Sequence, residues 1–551
     1  MKRVNKKLMS RIMAVCLMLV MVLSMGMAVS AAPLTPDAKD SITISGIETD
    51  DSGHGIGTLN AYRVINVNVN NNQPQAPVYT WDGAVAEWVS RNFRSYIDID
   101  NSNAVTETFL DLSDQSDDEA QAELKTFVDR LANAIRYTEG EDEDTAITIT
   151  PAYEIDLSQQ VPTGDEKAIT ADVSLGAYLF LVEGGVRIYS PGFAAVYPVN
   201  ENGSWVTEGH KVDVNLKSEA PGIDKTVSDY TYEIGQTVTY TLTVEVPDYP
   251  DNAVNKKFII ADYLSNGLTL DSSSIKFYNY SDTATDHKGD DITASFTNYV
   301  FGADDEHPAE GTSPSFAKNF TGDYSILASQ VIVEYNATVN ENAVVMESEE
   351  TENGLDNKVY LIYNNNPYTN NGYAEIPDEE RVYTYGIQVT KTGDGNEKLP
   401  GAEFTLKPEG RSELQFIKED DGVYRRPLST DSSSVARTTT LVTDSNGLIQ
   451  IRGLDLGTYI LTETKAPEDY QLPADPTTEI VLADDADASG KPDGILNNDT
   501  DGTYEGTVVN AKPGILPSTG GIGTAVFTVC GILLMAGAVL LMVVVTRRKS
   551  R

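Results

Sequence analysis

Val238-Thr239-Tyr240-Thr241-Leu242-Thr243-Val244-Glu245-Val246 places an apolar residue at every second position. In an extended chain such a pattern buries one face and leaves the other polar, so it predicts a β-strand at the surface of a core. Similar short strands recur along the interior, broken by Asn-Gly, Asp-Gly and Gly-Gly pairs that favour tight turns. Strand runs with regular turn signals predict an all-β architecture of tandem immunoglobulin-like β-sandwich domains. One helical stretch is expected in the first domain, over 119–136, where Leu124, Phe127, Val128, Leu131 and Ile135 follow helical spacing.

Outward from that strand, the alternation carries charged residues onto apolar faces. Ile223, Lys225 and Val227 share one face, as do Phe258, Ile260 and Asp262. Asn357 joins Val359 and Leu361. The pattern repeats further on: Ile387, Val389 and Lys391; Tyr459, Leu461 and Glu463; Val508 and Asn510. Each set offers an inward lysine, an inward acid and an inward asparagine. Buried lysine is costly unless it is paired or neutralised. One reading is a buried salt bridge or charge at a strand end. The other is chemical. Desolvation removes the proton from lysine and leaves a nucleophilic amine, while a buried carboxyl holds its proton and can donate it. Aimed at an asparagine amide, the pair would expel ammonia and leave a Lys–Asn isopeptide bond. Glu334 is a second candidate for the acid beside Lys225.

The residues 387–391 with Leu399-Pro400-Gly401-Ala402-Glu403-Phe404, then Tyr459 to Pro467 with Tyr470, and Val508-Val509-Asn510, resemble the collagen-adhesin B-type domain of Gram-positive pilins. Ile223-Asp224-Lys225-Thr226-Val227, Asp262 to Leu268 and Asn357 to Pro367 resemble the isopeptide-forming second domain of backbone pilins. The resemblance implies two internal bonds, Lys225–Asn357 and Lys391–Asn510, with Asp262 and Glu463 as their catalytic acids. Each would close a loop of roughly 130 or 120 residues and contribute roughly 5 kcal/mol on a chain-entropy argument. The first domain has Lys39, Lys125, Lys167, Lys211 and Lys217, none in its expected opening strand over 41–47, so no internal bond is expected there.

Both ends differ from the interior. Lys2, Arg3, Lys6, Lys7 and Arg11 precede an apolar run from Ile12 to Val29 and then Ser30-Ala31-Ala32, the pattern of a secretory signal peptide. A second apolar run from Ile522 to Val545 is long enough to cross a bilayer and ends in Arg547-Arg548-Lys549-Ser550-Arg551. Leu516-Pro517-Ser518-Thr519-Gly520 stands just before it. This arrangement resembles the LPXTG sorting signal of Gram-positive surface proteins. The resemblance implies cleavage between Thr519 and Gly520 by a sortase, whose cysteine holds Thr519 as a thioester until an amine resolves it. Val212, Val214 and Leu216 alternate with Asp213, Asn215 and Lys217, putting Lys217 on the polar face. Its place resembles that of the pilin-motif lysine, which implies linkage of Lys217 to Thr519 of a neighbouring subunit. The usual Tyr-Pro before the lysine is missing, since Tyr197-Pro198 occurs earlier, and Lys211 is the rival amine.

The expected domains are therefore 1–32 (signal), 33–219, 220–383, 384–513 and 514–551 (sorting signal, span and basic tail). The chain has 551 residues with 40 basic against 83 acidic side chains, a net charge of −43. Such acidity argues against nucleic acid or anionic lipid as partners. Both cysteines, Cys16 and Cys530, lie in the removable ends, so no disulfide is expected in the exported chain. Asp485, Asp487 and Ser489 imitate the start of a calcium loop, but Leu496 stands where the closing glutamate belongs, and no metal or cofactor is expected. No Gly-x-Ser-x-Gly or His-Glu-x-x-His is present, so no enzyme is expected beyond single-turnover self-cross-linking. These readings converge on a secreted, wall-anchored pilus shaft subunit. Its expected partners are sortase, neighbouring subunits and peptidoglycan, with host surface proteins or glycans as candidates. A monomeric wall-anchored adhesin for a host matrix protein is the alternative, and Lys217 is the residue that separates the two.

Overall fold

The computed structural model describes residues 34–513, less 114–115, 137–145, 202–203, 208–211, 250–252, 254, 303–312, 344–353, 367–371, 485–489 and 498–500, together with 523–548. The signal peptide, the Leu516 to Gly520 motif, Lys211 and the aspartates of the calcium-like loop lie outside the described residues. The chain divides into two compact units. One is Met1–Asp229, Thr237–Thr338 and Leu355–Arg381; the other is Tyr230–Gln236, Val339–Gly354 and Val382–Arg551.

The first unit opens with the strand Lys39–Ser45, which pairs in parallel with Val212–Asn215 and antiparallel with Ile169–Ser174. Ile42, Ile44, Val212 and Val214 point into one core with Leu59, Tyr178 and Phe180. The expected helix forms as Asp118–Arg136. It begins at Asp117, whose carboxylate accepts the Glu119 and Ala120 amides at 3.0 and 3.2 Å and so satisfies two N-terminal donors. Leu124, Phe127, Val128 and Leu131 are buried, while Ile135 is only half-buried. A second helix, Gly83–Asn92, forms as well. Its Trp88 packs on Phe127 at 5.9 Å between ring centroids, and Trp81 does so from the neighbouring strand at 5.5 Å. Tertiary aromatic packing, rather than local periodicity, selects that helix.

The same unit continues as a sandwich of two five-stranded sheets. The strand Thr237–Glu245 alternates as the sequence requires, with Val238, Tyr240, Leu242 and Val244 buried. Burial of each such side chain contributes about 1.5–3 kcal/mol. Ile223–Val227 pairs with it on one side and Gln330–Val339 on the other. The facing sheet holds Phe258–Leu264 paired with Leu355–Tyr363, and Ala374–Val382 at its edge. Pro377-Asp378-Glu379-Glu380 lies within this edge strand. An edge position explains the tolerance of proline, and the Asp378 carboxylate accepts from the Lys225 amide at 2.6 Å.

The second unit is a sandwich of a six-stranded and a four-stranded sheet. Tyr385–Gly393 runs between Leu448–Leu454 and the closing strand Thr503–Asn510, antiparallel to the first and parallel to the second. Glu403–Pro408, Gly457–Lys465 and Thr477–Leu482 belong to the opposing sheet. The core gathers Tyr385, Ile387, Val389, Phe404, Leu461 and Ile480. At the C-terminus Gly523–Arg548 is helical. Among the described residues no helix is long and apolar enough to cross a membrane; the described side chains of this helix stop at Thr528 and Val543, short of the apolar run in the sequence.

Candidate reactive sites and relatives

In the middle sandwich the backbone brings three inward residues to one place. Lys225 pairs in register with Leu242, and Asp262 lies opposite Val359, two residues from Asn357. All three side chains are buried. Lys225 Nζ lies 2.8 Å from Asp262 Oδ2. Both side chains have no exposure to solvent. Lys225 also sits over the Tyr240 ring at 5.3 Å. Burial pushes the Lys225 amine below its ordinary value, against the pull of Asp262, and pushes the Asp262 carboxyl up, against the pull of Lys225. Both shifts favour uncharged partners, the state in which lysine is a nucleophile and aspartic acid a proton donor. Glu334 sits on the other face of its strand and bonds Lys288 at 2.5 Å, so it does not serve this site.

Sequence reading missed the fourth member. Tyr335 donates to Asp262 Oδ2 at 2.6 Å and accepts from Asn357 Nδ2 at 2.8 Å. The alternation Val331, Val333, Tyr335 marks it as inward, and that was the only available signal. Its hydroxyl bridges acid and amide, and among the described residues Asp262 Oδ1 and Asn357 Oδ1 have no hydrogen-bond partner.

The site in the second unit has the same residue types in a different frame. Lys391, Glu463 and Asn510 are buried. Gly393 is opposite Asn510 and Lys391 is opposite Val508, so lysine and asparagine stand on adjacent strands of one sheet. Glu463 reaches them from the facing sheet, and its Oε1 accepts from Asn510 Nδ2 at 2.6 Å. Lys391 Nζ donates to the Thr392 and Val508 carbonyls, each at 3.2 Å. Its backbone is fixed by the turn at Asn446-Gly447: the Lys391 amide donates to the Gly447 carbonyl at 2.7 Å. Gly447 has φ of +73°, and a Cβ there would meet the Lys391 carbonyl oxygen at 2.7 Å, so glycine is required. Burial lowers the Lys391 pKa and raises that of Glu463. Glu463 Oε2 and Asn510 Oδ1 are both left without partners. With its pKa raised by burial, the Glu463 carboxyl favours its protonated form, which can donate as well as accept.

Among the described residues, the region before residue 219 holds no comparable set. Among its described lysines, Lys39 and Lys167 are exposed and Lys125 pairs with Asp129 across one helical turn. Lys217 lies just past the strand Val212–Asn215 and is half-buried; its carbonyl accepts from the Ser190 amide at 2.9 Å.

Comparison with known proteins gives these sites a context. Residues 386–491 match the model of the prealbumin-like fold domain, and residues 509–550 match that of the LPXTG cell wall anchor motif. The trypsin-resistant surface T6 protein of Streptococcus pyogenes is 26% identical over 452 residues, covering 68% of this chain and 79% of that protein. Fimbrial subunit type 1 of Actinomyces viscosus is 25% identical over 388 residues, covering 63% and 68%. This chain is similar to fimbrial subunits of Gram-positive surfaces. The solved T6 backbone pilin of serotype M6 Streptococcus pyogenes, described as a modular three-domain structure, shares the fold, with a TM-score of 0.53 at 19% identity over 87% of this chain and all of that one. The curated relatives and the LPXTG anchor motif together support a structural subunit of a pilus shaft, secreted and held at the cell wall. Sortase and other fimbrial subunits are its partners.

Proposed function

We propose that the fimbrial subunit closes its middle and C-terminal sandwiches with self-formed isopeptide bonds, Lys225–Asn357 and Lys391–Asn510, and that Thr519 of one subunit is joined to Lys217 of the next. One observation carries the first part: two separate sandwiches each gather a solvent-inaccessible lysine, carboxyl and asparagine, with the carboxyl in hydrogen-bonded connection to the amide. Coincidental burial of one such set is costly, and of two more so. In each, the neutral amine attacks the asparagine Cγ, the new C–N bond forms, and the amide nitrogen takes the proton that the amine gives up and leaves as ammonia. Asp262 and Glu463 carry that proton. Each site acts once, so the subunit turns over no substrate.

The domain extents that accompany this reading are 33–219, 220–383 and 384–513, with 1–32 removed on export, 514–519 kept as the C-terminal segment that carries Thr519, and 520–551 cut away at sorting. Lys217 supports head-to-tail linkage by its place at the end of the first sandwich, although it is half-buried. The final subunit would be transferred to peptidoglycan, and the filament would present its surface to host proteins or glycans. Proteolytic peptide mapping tests the internal bonds: branched peptides joining Lys225 to Asn357 and Lys391 to Asn510 are expected, and linear peptides carrying unmodified Asn357 and Asn510 would contradict them. For the intersubunit bond, Lys217→Ala is expected to abolish the high-mass ladder that survives boiling in detergent. Persistence of the ladder would shift the linkage to another amine such as Lys211.

A further inference from the structure

We propose that Tyr335 is a catalytic residue of the Lys225–Asn357 cross-link, the relay that carries a proton between Asp262 and the asparagine amide. The inference rests on the isopeptide reading of this site.

The argument starts from reach. Glutamate and aspartate differ by one methylene. In the second unit Glu463 touches the reacting amide directly, at 2.6 Å from Asn510 Nδ2. In the middle sandwich the shorter Asp262 makes its close contacts with Lys225 and Tyr335. The Tyr335 hydroxyl occupies the intervening place, 2.6 Å from the acid and 2.8 Å from Asn357 Nδ2. An acid one methylene short, plus a phenol, thus covers the span that a glutamate covers alone. Tyr335 is held there independently of the reaction: its ring stacks on Tyr240 at 5.4 Å and 18°, and meets the edge of Phe316 at 5.1 Å. It is inaccessible to solvent, so no water replaces its hydroxyl.

The step balances without a further reactant. Lys225 Nζ attacks Asn357 Cγ. As the Cγ–Nδ2 bond breaks, the Tyr335 hydroxyl gives its proton to Nδ2 and takes the proton of Asp262. The Asp262 carboxylate then accepts the proton that Nζ must lose. Ammonia leaves, and Tyr335 and Asp262 end as they began. Burial and Asp262 hold the phenol well above its ordinary pKa, so it stays protonated between transfers.

The test follows the two bonds separately in the mature chain by peptide mapping through a time course after rapid purification. Tyr335→Phe keeps the ring and removes the hydroxyl. We expect Lys225–Asn357 linkage to slow by roughly a hundredfold, the scale of lost general acid–base catalysis, with Lys391–Asn510 linkage unchanged. Adding Asp262→Glu to Tyr335→Phe lengthens the acid and is expected to restore linkage, which a merely structural role of the phenol would not do. Linkage at the wild-type rate in Tyr335→Phe would overturn the relay while leaving the isopeptide reading intact. Failure of the double variant to recover, with Lys391–Asn510 still linked, would assign Tyr335 to packing and also overturn it. Absence of a Lys225–Asn357 link in the wild-type chain would remove the isopeptide reading of this site itself.

Discussion

At the scale of single residues, two buried lysines and two buried carboxyls are driven toward their neutral forms by the same desolvation. The pH dependence of bond formation follows in sign. As pH falls through the lowered Lys391 value the amine is protonated and no longer attacks; as pH rises through the raised Glu463 value the acid loses the proton it must donate. The linking rate of the second unit should therefore be bell-shaped, with both arms inside the ordinary values of 4.5 and 10.5. Stopped time courses at different pH read this directly; a rate that still climbs as pH nears 10.5 would mean an ordinary exposed amine. Glu463→Ala is expected to fall short of its own sequence mass by one ammonia instead of two, with Lys391 and Asn510 unlinked by mapping; a deficit of two would remove Glu463 from the chemistry. Lysine, acid and asparagine were legible in the sequence because period-two alternation puts them among Ile, Val and Leu. Tyr335 was not, because a tyrosine on an apolar face looks like ordinary core and its hydroxyl partners come from strands distant in the chain.

At the scale of strands and sheets, the two proposed bonds brace different things. Lys225 and Asn357 stand in opposing sheets, so their bond would clamp the middle sandwich across its core. Lys391 and Asn510 stand on neighbouring strands of one sheet, and the closing strand Thr503–Asn510 is the edge of that sheet, held by a single neighbour. Asn510→Ala should therefore loosen amide exchange protection first in Thr503–Asn510, whereas Asn357→Ala should lower protection in both sheets of the middle sandwich. Either change is expected to lower its unit's melting temperature by on the order of ten degrees, from the roughly 5 kcal/mol that a long cross-linked loop contributes. Uniform protection in Asn510→Ala would contradict the edge-strand account. Strand existence was readable locally: Thr237–Glu245 alternates as its sequence does. Which strands become neighbours was not, because many pairings join residues from about sixty to more than a hundred positions apart. The same limit hid the helix Gly83–Asn92, whose Trp88 is held by Phe127 of another helix.

At the scale of the whole molecule, the chain combines an LPXTG anchor with strand-rich domains and a large negative charge of −43. Acidity of this size keeps exported subunits apart until they are joined covalently. Cysteine offers no cross-link in the exported region, since Cys16 and Cys530 lie outside it. Covalent bracing from lysine and asparagine is the central claim, and it has one direct test. The intact mass of the purified mature chain should fall short of the sequence mass by two molecules of ammonia. A mass equal to the sequence mass would contradict it.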